Sequence, residues 1–149
     1  MKKLIISGLS FTFVILSTGC SVKADGPQFN GFKTPEKGKS NVYLYRDSYF
    51  AAAVVPEIHQ KNLNTNEDKI IGKIKPYGYI VTTVDPAQYQ IWAKTEAKNE
   101  VNLDVKPNKI YCIKHYISMG FIVGHPQFKI MNMEKCKKEI EKTRLSIEN

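Results

Sequence analysis

Short segments in which apolar and polar residues alternate dominate the chain from residue 41 onward, with turn residues between them. Residues 101–105 (VNLDV) are the clearest case, because three apolar side chains alternate with Asn102 and Asp104. Many such segments at short intervals are typical of an antiparallel sandwich. The expected strands cover residues 42–46, 51–59, 70–74, 79–84, 89–93, 101–105, 109–117 and 128–131.

The end of the chain has a helical period instead. Asn132 is a candidate N-cap, and Met133, Cys136, Ile140 and Ile147 recur at helical spacing with Lys and Glu between them. We therefore predict a mainly β protein: an antiparallel, immunoglobulin-like β-sandwich of about seven or eight short strands with a C-terminal α-helix packed on it. A helix that lies on a membrane surface is the alternative.

The start of the chain has the pattern of a signal peptide over residues 1–19. Lys2 and Lys3 form a basic start, and residues 4–16 form an apolar run of 13 residues. A membrane-spanning helix needs about 20 residues, so this run is too short to be one. There are two alternatives. One is a plain secretory signal followed by a chance cysteine, and the other is a transmembrane anchor.

Residues 16–20 (LSTGC) resemble a lipobox, the cleavage and lipidation site of bacterial lipoproteins. Cleavage is then expected between Gly19 and Cys20, and the resemblance implies acyl chains such as palmitate on Cys20. Two or more chains hold a protein stably on a bilayer, whereas one chain holds it only marginally. Ser21 after the lipidated position favours the outer membrane, so we expect the domain to face the periplasm.

Removal of residues 1–19 leaves 130 of the 149 residues, the size of one domain. Residues 20–40 are polar and rich in Gly, Pro and Lys, which predicts a flexible tether before a sandwich domain over residues 41–149. The net charge of +8 falls to +6 when Lys2 and Lys3 are lost. This positive charge is expected either to keep the domain soluble or to favour contact with anionic envelope surfaces. No basic patch interleaved with aromatic residues points to nucleic acid.

Two cysteines remain if Cys20 is lipidated, which is an even pair in an oxidising compartment. A disulfide between Cys112 on a strand and Cys136 on the helix would pin the helix to the sandwich. The alternative is two buried free thiols, which behave as small apolar side chains.

No cluster of residues predicts a reaction, a metal or a cofactor, so we expect a protein that is not an enzyme. Cys112 and His115 lie three apart on one strand and point to opposite faces, which makes a poor nucleophile–base pair. The spacing of His59, His115 and His125 does not match a metal site. The acidic residues interpreted as turn or surface positions are Asp85, Glu96, Glu100 and Asp104.

Trp92 is the one candidate for a ligand-facing aromatic residue. It shares its side of the expected strand with Gln90 and Lys94, so part of the indole is expected to be exposed. The other aromatic residues are expected mainly in the core or in cross-strand pairs.

Several pieces of the chain, taken in order and spacing, are similar to one family. They are residues 42–46 (VYLYR), 71–74 (IGKI), 77–79 (YGY), 85–86 (DP) with 89–91 (YQI), and 107–112 (PNKIYC). Together they resemble the domain-of-unknown-function 2846 lipoproteins over about residues 38–147. The resemblance implies a small extracellular β-sandwich module of the carbohydrate- or surface-associated kind, and it implies no reaction.

These features predict a non-catalytic envelope lipoprotein that binds an unknown envelope protein or glycan. The alternative is an inhibitor of an incoming hydrolase such as a lysozyme. An inhibitor would need an exposed loop that carries a basic or acidic plug, and residues 120–125 are where that loop is expected.

Overall fold

The computed structural model describes residues 22–147 and forms one β-rich unit. The alternating segments form strands, and the bounds of the elements follow in chain order. They are β1 Ser40–Arg46, β2 Glu57–Asn62, β3 Asp68–Lys73, β4 Gly78–Val84, β5 Gln88–Lys94, β6 Lys98–Asp104, β7 Ile110–Ser118, β8 His125–Ile130, α1 Met133–Ile140 and β9 Arg144–Leu145.

The strands form two sheets, which confirms the predicted β-sandwich with a C-terminal helix. One sheet has the order β8-β7-β1-β4-β9, and the other has the order β3-β2-β5-β6. The four-stranded sheet is antiparallel, but the five-stranded sheet is mixed because β1 pairs with β7, and β4 with β9, in parallel. Alternation shows which side chains share a face; it does not determine which strand becomes the neighbour.

The main core lies between the sheets and follows the predicted alternation. Val42 and Leu44 of β1 point inward, and they meet Ile58 and Ile91 of the four-stranded sheet and Ile113 of β7. The outer face of the four-stranded sheet is mainly polar, although it also carries Trp92 and Ile70, as expected for an antiparallel sheet with one solvated side.

A second core covers the outer face of the five-stranded sheet. Tyr43 and Tyr45 alternate with the inward residues of β1 and pack here against Cys136 and Ile140 of α1. Strand β1 is consequently buried along its whole length, as the aromatic and aliphatic alternation of residues 42–46 suggests.

The segment before β1 differs from the expected flexible tether over residues 20–40. Phe29 is buried in the second core, with its ring centroid 5.4 Å from that of Tyr79. The backbone N–H of Ala24 donates to Pro76 O, and the N–H of Phe29 donates to Thr143 O, each at 3.0 Å. Residues 24–29 are therefore part of the folded unit, because their apolar side chains and backbone groups find partners that composition alone does not reveal.

The helix begins as predicted, since the side chain of Asn132 accepts a hydrogen bond from the backbone N–H of Lys135 at 2.8 Å. It ends at Ile140, so Ile147 does not extend its apolar face as expected but follows β9. Within residues 22–147, no helix is both long enough and apolar enough to cross a bilayer.

The second expected strand, residues 51–59, also differs from the structure. Residues 51–53 form a turn, residues 54–56 have no regular structure, and β2 starts at Glu57, directly after Pro56. Proline lacks the N–H that a strand ladder uses, so the pairing begins only after it.

Candidate functional site

The predicted cleavage and lipidation residues, Gly19 and Cys20, lie outside the residues that the structure describes. The first described residue is Val22.

Cys112 and Cys136 are joined by a disulfide, with their Cα atoms 6.3 Å apart. Cys112 lies on the outer face of β7 and Cys136 on the buried side of α1, and both residues are fully buried. The bridge therefore ties the helix to the five-stranded sheet at the centre of the second core.

A charged cluster lies beside this bridge. Lys114 Nζ is 2.8 Å from Asp47 Oδ2 and 2.9 Å from Glu139 Oε2, while the Tyr45 hydroxyl donates to the same Glu139 oxygen at 2.7 Å. Burial alone would raise the pKa of Glu139, but the hydrogen bonds from Lys114 and Tyr45 outweigh it and the pKa is lowered. Every charge has a partner, so the cluster links β1, β7 and α1 rather than forming a reactive centre.

The three histidines are dispersed. His115 points into the sandwich, on the opposite face of β7 from Cys112, so the two do not form a nucleophile–base pair. His59 lies on β2 and stacks on Trp92, whereas His125 begins β8 and lies 3.0 Å from Glu96. Among residues 22–147, no group of three His, Cys, Asp or Glu side chains could hold a metal ion.

Arg46 and His115 are fully buried polar residues on the neighbouring strands β1 and β7, and Arg46 is the last residue of β1. The guanidinium of Arg46 donates to the carbonyls of Val54, Phe50 and Ala51. Burial, and then the charge of Arg46, lower the pKa of His115 to about 3, so the imidazole is neutral. Through these hydrogen bonds, the buried guanidinium of Arg46 stabilises the loop between β1 and β2.

Trp92 is half-buried on the outer face of the four-stranded sheet, and its neighbours come from two flanking strands. His59 lies directly opposite on β2, and the two rings stack with centroids 3.8 Å apart. The indole Nε1 donates to Asp68 Oδ2 at 3.1 Å, while Lys98 Nζ of β6 lies 4.8 Å from the indole centroid. Because β2 and β6 flank β5, His59 and Lys98 approach the indole from opposite sides.

Planar polar groups continue from Trp92 across the same face. The Gln90 side-chain amide donates to Glu100 Oε1 at 3.0 Å and reaches Asn102 Oδ1 at 3.5 Å. Lys98 Nζ lies 2.9 Å from Glu100 Oε2 and donates to Gln90 Oε1 at 3.3 Å. We call this surface the Trp92 face; its residues are His59, Asp68, Gln90, Trp92, Lys98, Glu100 and Asn102.

Sequence reasoning identified Trp92 and its neighbour Gln90 but not the other members of the Trp92 face. His59 and Asp68 come from β2 and β3, far from Trp92 in the chain. Only the strand order β3-β2-β5-β6 brings these side chains together. Their polarity on outward positions was the one signal available.

A polar hollow lies at the end of the sandwich away from Arg46. Its volume is about 180 Å³, below the 300–1,000 Å³ that ligand pockets usually occupy. The Gln60 side-chain oxygen is buried there without a hydrogen-bond partner in the described structure. The hollow has room for a few water molecules, one of which can satisfy that oxygen.

The loop between β7 and β8, where the inhibitor alternative expects a charged plug, is apolar. Residues 119–124 (MGFIVG) contain no charged side chain, and Phe121 is 98% exposed. The feature that would favour an inhibitor is therefore absent from this loop. The uncharged run over residues 117–124 is the signal from which sequence reasoning could have identified an exposed apolar surface.

Comparison with known proteins gives a family and one distant relative. A family model described as protein of unknown function (DUF2846) matches residues 36–126, which run from just before β1 to the start of β8. An uncharacterised protein of Haemophilus influenzae is 29% identical over 117 residues, which cover 78% of this chain and 66% of the relative's own length. No solved structure matches the chain significantly.

Proposed function

The chain belongs to the DUF2846 family, and on that premise we propose that it is a lipoprotein anchored in the cell envelope through lipid on Cys20. Its sandwich serves as a non-catalytic module that binds an envelope glycan at the Trp92 face. The proposed location is the outer membrane, with the domain facing the periplasm.

The anchor is supported by the N-terminal sequence. A basic start, a short apolar run and the LSTGC segment match a lipoprotein signal. Two acyl chains on one cysteine would bury enough methylene groups, at about 0.8 kcal/mol each, to make detachment rare. The folded unit begins within a few residues of Cys20, which leaves only a short link between lipid and domain.

The observation that carries the binding proposal is the composition of the Trp92 face. One half-buried indole is surrounded by amide and carboxylate side chains whose planar groups can bond to sugar hydroxyls. An aromatic ring offers its apolar surface to the C–H face of a sugar. On the β6 side the indole is covered by Lys98, a flexible side chain that is 44% exposed and that a sugar ring can displace.

The polarity of the face favours a glycan over a protein partner. Protein interfaces have centres that are depleted in charged residues and enriched in well-packed apolar side chains. The Trp92 face instead carries Lys98, Glu100 and Asp68 close to the indole of Trp92.

Labelling tests the anchor. Cells that express the full chain are fed an alkyne analogue of palmitate, beside a Cys20→Ser control with the same tag. We expect label on the wild-type protein and none on the variant. Equal labelling of the two proteins, or labelling of neither, would contradict the anchor.

Intrinsic fluorescence tests the glycan site, because Trp92 is the one tryptophan of the sequence. Peptidoglycan fragments and lipopolysaccharide core oligosaccharides are titrated against the purified protein, and a saturable change in the emission of Trp92 is expected. Trp92→Ala should weaken binding about tenfold or more by calorimetry, which corresponds to about 1.4 kcal/mol.

Tyr116→Ala is the matched control, since this exposed aromatic residue lies on β7 of the other sheet. It should leave the affinity unchanged. If no glycan binds, or if both variants weaken binding equally, the Trp92 face is not the site.

A further inference from the structure

The loop between β7 and β8 exposes apolar side chains to a degree unusual for a folded domain. Met119 and Ile122 are each 84% exposed, and Phe121 is 98% exposed. Contiguous exposed apolar residues mark a surface that another body covers, either a partner protein or a membrane.

Hydrogen bonds with Glu96 and Thr95 hold the loop in this projecting shape. Glu96 Oε1 accepts hydrogen bonds from the backbone N–H groups of Ile122 and Val123, at 2.8 and 2.9 Å. Its other oxygen lies 3.0 Å from His125 Nε2. The Thr95 hydroxyl adds a bond to Gly124 O at 2.9 Å. The apolar side chains therefore project from a supported loop and do not fold back on the sandwich.

The loop between β1 and β2 extends the same surface. Tyr49 and Phe50 are both about half exposed, and a side chain built at Gly124 would contact Ala51. The buried guanidinium of Arg46 holds this loop from below. We call the combined surface the apolar tip; its residues are Tyr49, Phe50, Met119, Phe121 and Ile122.

The start of the described chain lies at the same end of the domain. Lys23 Nζ is 5.4 Å from the ring centroids of both Tyr49 and Tyr77. Cys20 precedes Val22 by two residues, and two residues of extended chain span at most about 7 Å. A lipid on Cys20 would therefore enter the bilayer close to the apolar tip.

Positive charge borders the apolar tip on the side of the chain start. Lys23, Lys142 and Arg144 surround one shallow hollow beside Tyr77. Asp47, in the same loop as Tyr49, is neutralised by Lys114 at 2.8 Å. An anionic lipid surface attracts such a cationic border, with an effect that falls off within a Debye length.

We infer that the apolar tip inserts into the interfacial layer of an anionic phospholipid bilayer, with Lys23, Lys142 and Arg144 at the head groups. The inference deepens the proposed function and rests on it only for the anchor that brings the apolar tip to the membrane. The domain then stands on the bilayer with the Trp92 face at its side, open to the periplasm.

Depth-dependent quenching tests the insertion. The lipidated protein with Trp92→Phe and Phe121→Trp is reconstituted into vesicles of equal parts phosphatidylglycerol and phosphatidylcholine that carry bromine on the acyl chains. We expect the emission of the new tryptophan to shift to the blue and to be quenched by the brominated lipid. In the wild-type protein, the emission of Trp92 should not be quenched.

Co-sedimentation of the mature, unlipidated chain with the same vesicles gives the second measurement. Phe121→Ser and Ile122→Ser should each lower the partition coefficient roughly tenfold or more, the effect of withdrawing one large apolar side chain from the bilayer. The matched control is Ile130→Ser, since Ile130 is exposed at the opposite end of β8 and should not contribute.

The two measurements separate the two proposals. An unquenched tryptophan at position 121 in a protein whose Cys20 carries lipid overturns the insertion and leaves the anchor intact. Absence of lipid on Cys20 overturns the anchor, and co-sedimentation then decides the insertion alone. Dimers that form through the apolar tip, or equal effects of Ile122→Ser and Ile130→Ser, also overturn the insertion.

Discussion

Reduction of the Cys112–Cys136 disulfide should remove a large share of the stability of the domain. The two residues are 24 positions apart, so the bond closes a loop of about 25 residues. On the chain-entropy model such a loop restricts the unfolded chain by about 3.5 kcal/mol. The net free energy of unfolding of a domain is about 5–15 kcal/mol, so this loss is readily measurable.

Urea unfolding with and without a phosphine reductant measures the effect. For the oxidised wild type, we expect the reductant to lower the free energy of unfolding by about 3–4 kcal/mol. The slope with urea should rise, because the reduced unfolded chain exposes more surface. The Cys112→Ala, Cys136→Ala variant should be less stable and should not respond to the reductant.

Two results would refute this reasoning. One is a wild-type midpoint that the reductant does not change. The other is alkylation of both Cys112 and Cys136 in the unfolded, unreduced protein, seen as two added groups in the intact mass. Either result would mean that the bond does not constrain the chain in solution.

Three further predictions concern His115, Glu139 and Phe29. The pKa of His115 falls from its ordinary 6.5 to about 3 in the fold, so below pH 6.5 the unfolded chain binds a proton that the folded chain does not bind. The free energy of unfolding should therefore fall as pH drops from 6.5 towards 3, and His115→Phe should make the urea midpoint less dependent on pH between 6.5 and 5. The pKa of Glu139 is lowered below 4.5, so the carboxylate stabilises the fold above pH 4.5 and this stabilisation is lost as pH falls further. In urea unfolding, Glu139→Gln should lower the free energy of unfolding by about 1–2 kcal/mol at pH 7 and should make it less sensitive to acid. Phe29→Ala should lower the free energy of unfolding by about 3–5 kcal/mol, whereas Phe121→Ala, a change at an exposed ring, should alter it by no more than about 0.5 kcal/mol. Equal losses of stability for the two variants in thermal unfolding would contradict the packing of the segment before β1.

Much of the local structure could be predicted from the residues. Alternation in residues 42–46 and 101–105 identifies which side chains point inward, and Asn132 marks where α1 begins. These features depend on neighbours within a few positions, where strand and helix periods act directly. Trp92 as a partly exposed aromatic residue follows from the same alternation.

The remaining features depend on which distant segments meet. Local pattern does not encode the parallel pairing of β1 with β7, because the choice of neighbouring strand is made over the whole fold. Phe29 belongs to a polar segment by composition, yet it finds Tyr43 and Tyr79 across the sheet. The partners of Trp92 likewise come from β2, β3 and β6.

The sequence by itself determined the alternation of the strands, the start of the helix and an N-terminal pattern typical of a lipoprotein. Only the tertiary structure decided that Met119, Phe121 and Ile122 share one end of the domain with Tyr49 and Lys23. The physical reason is that a period acts through adjacent residues, whereas a surface is assembled from loops that the order and direction of the strands bring together.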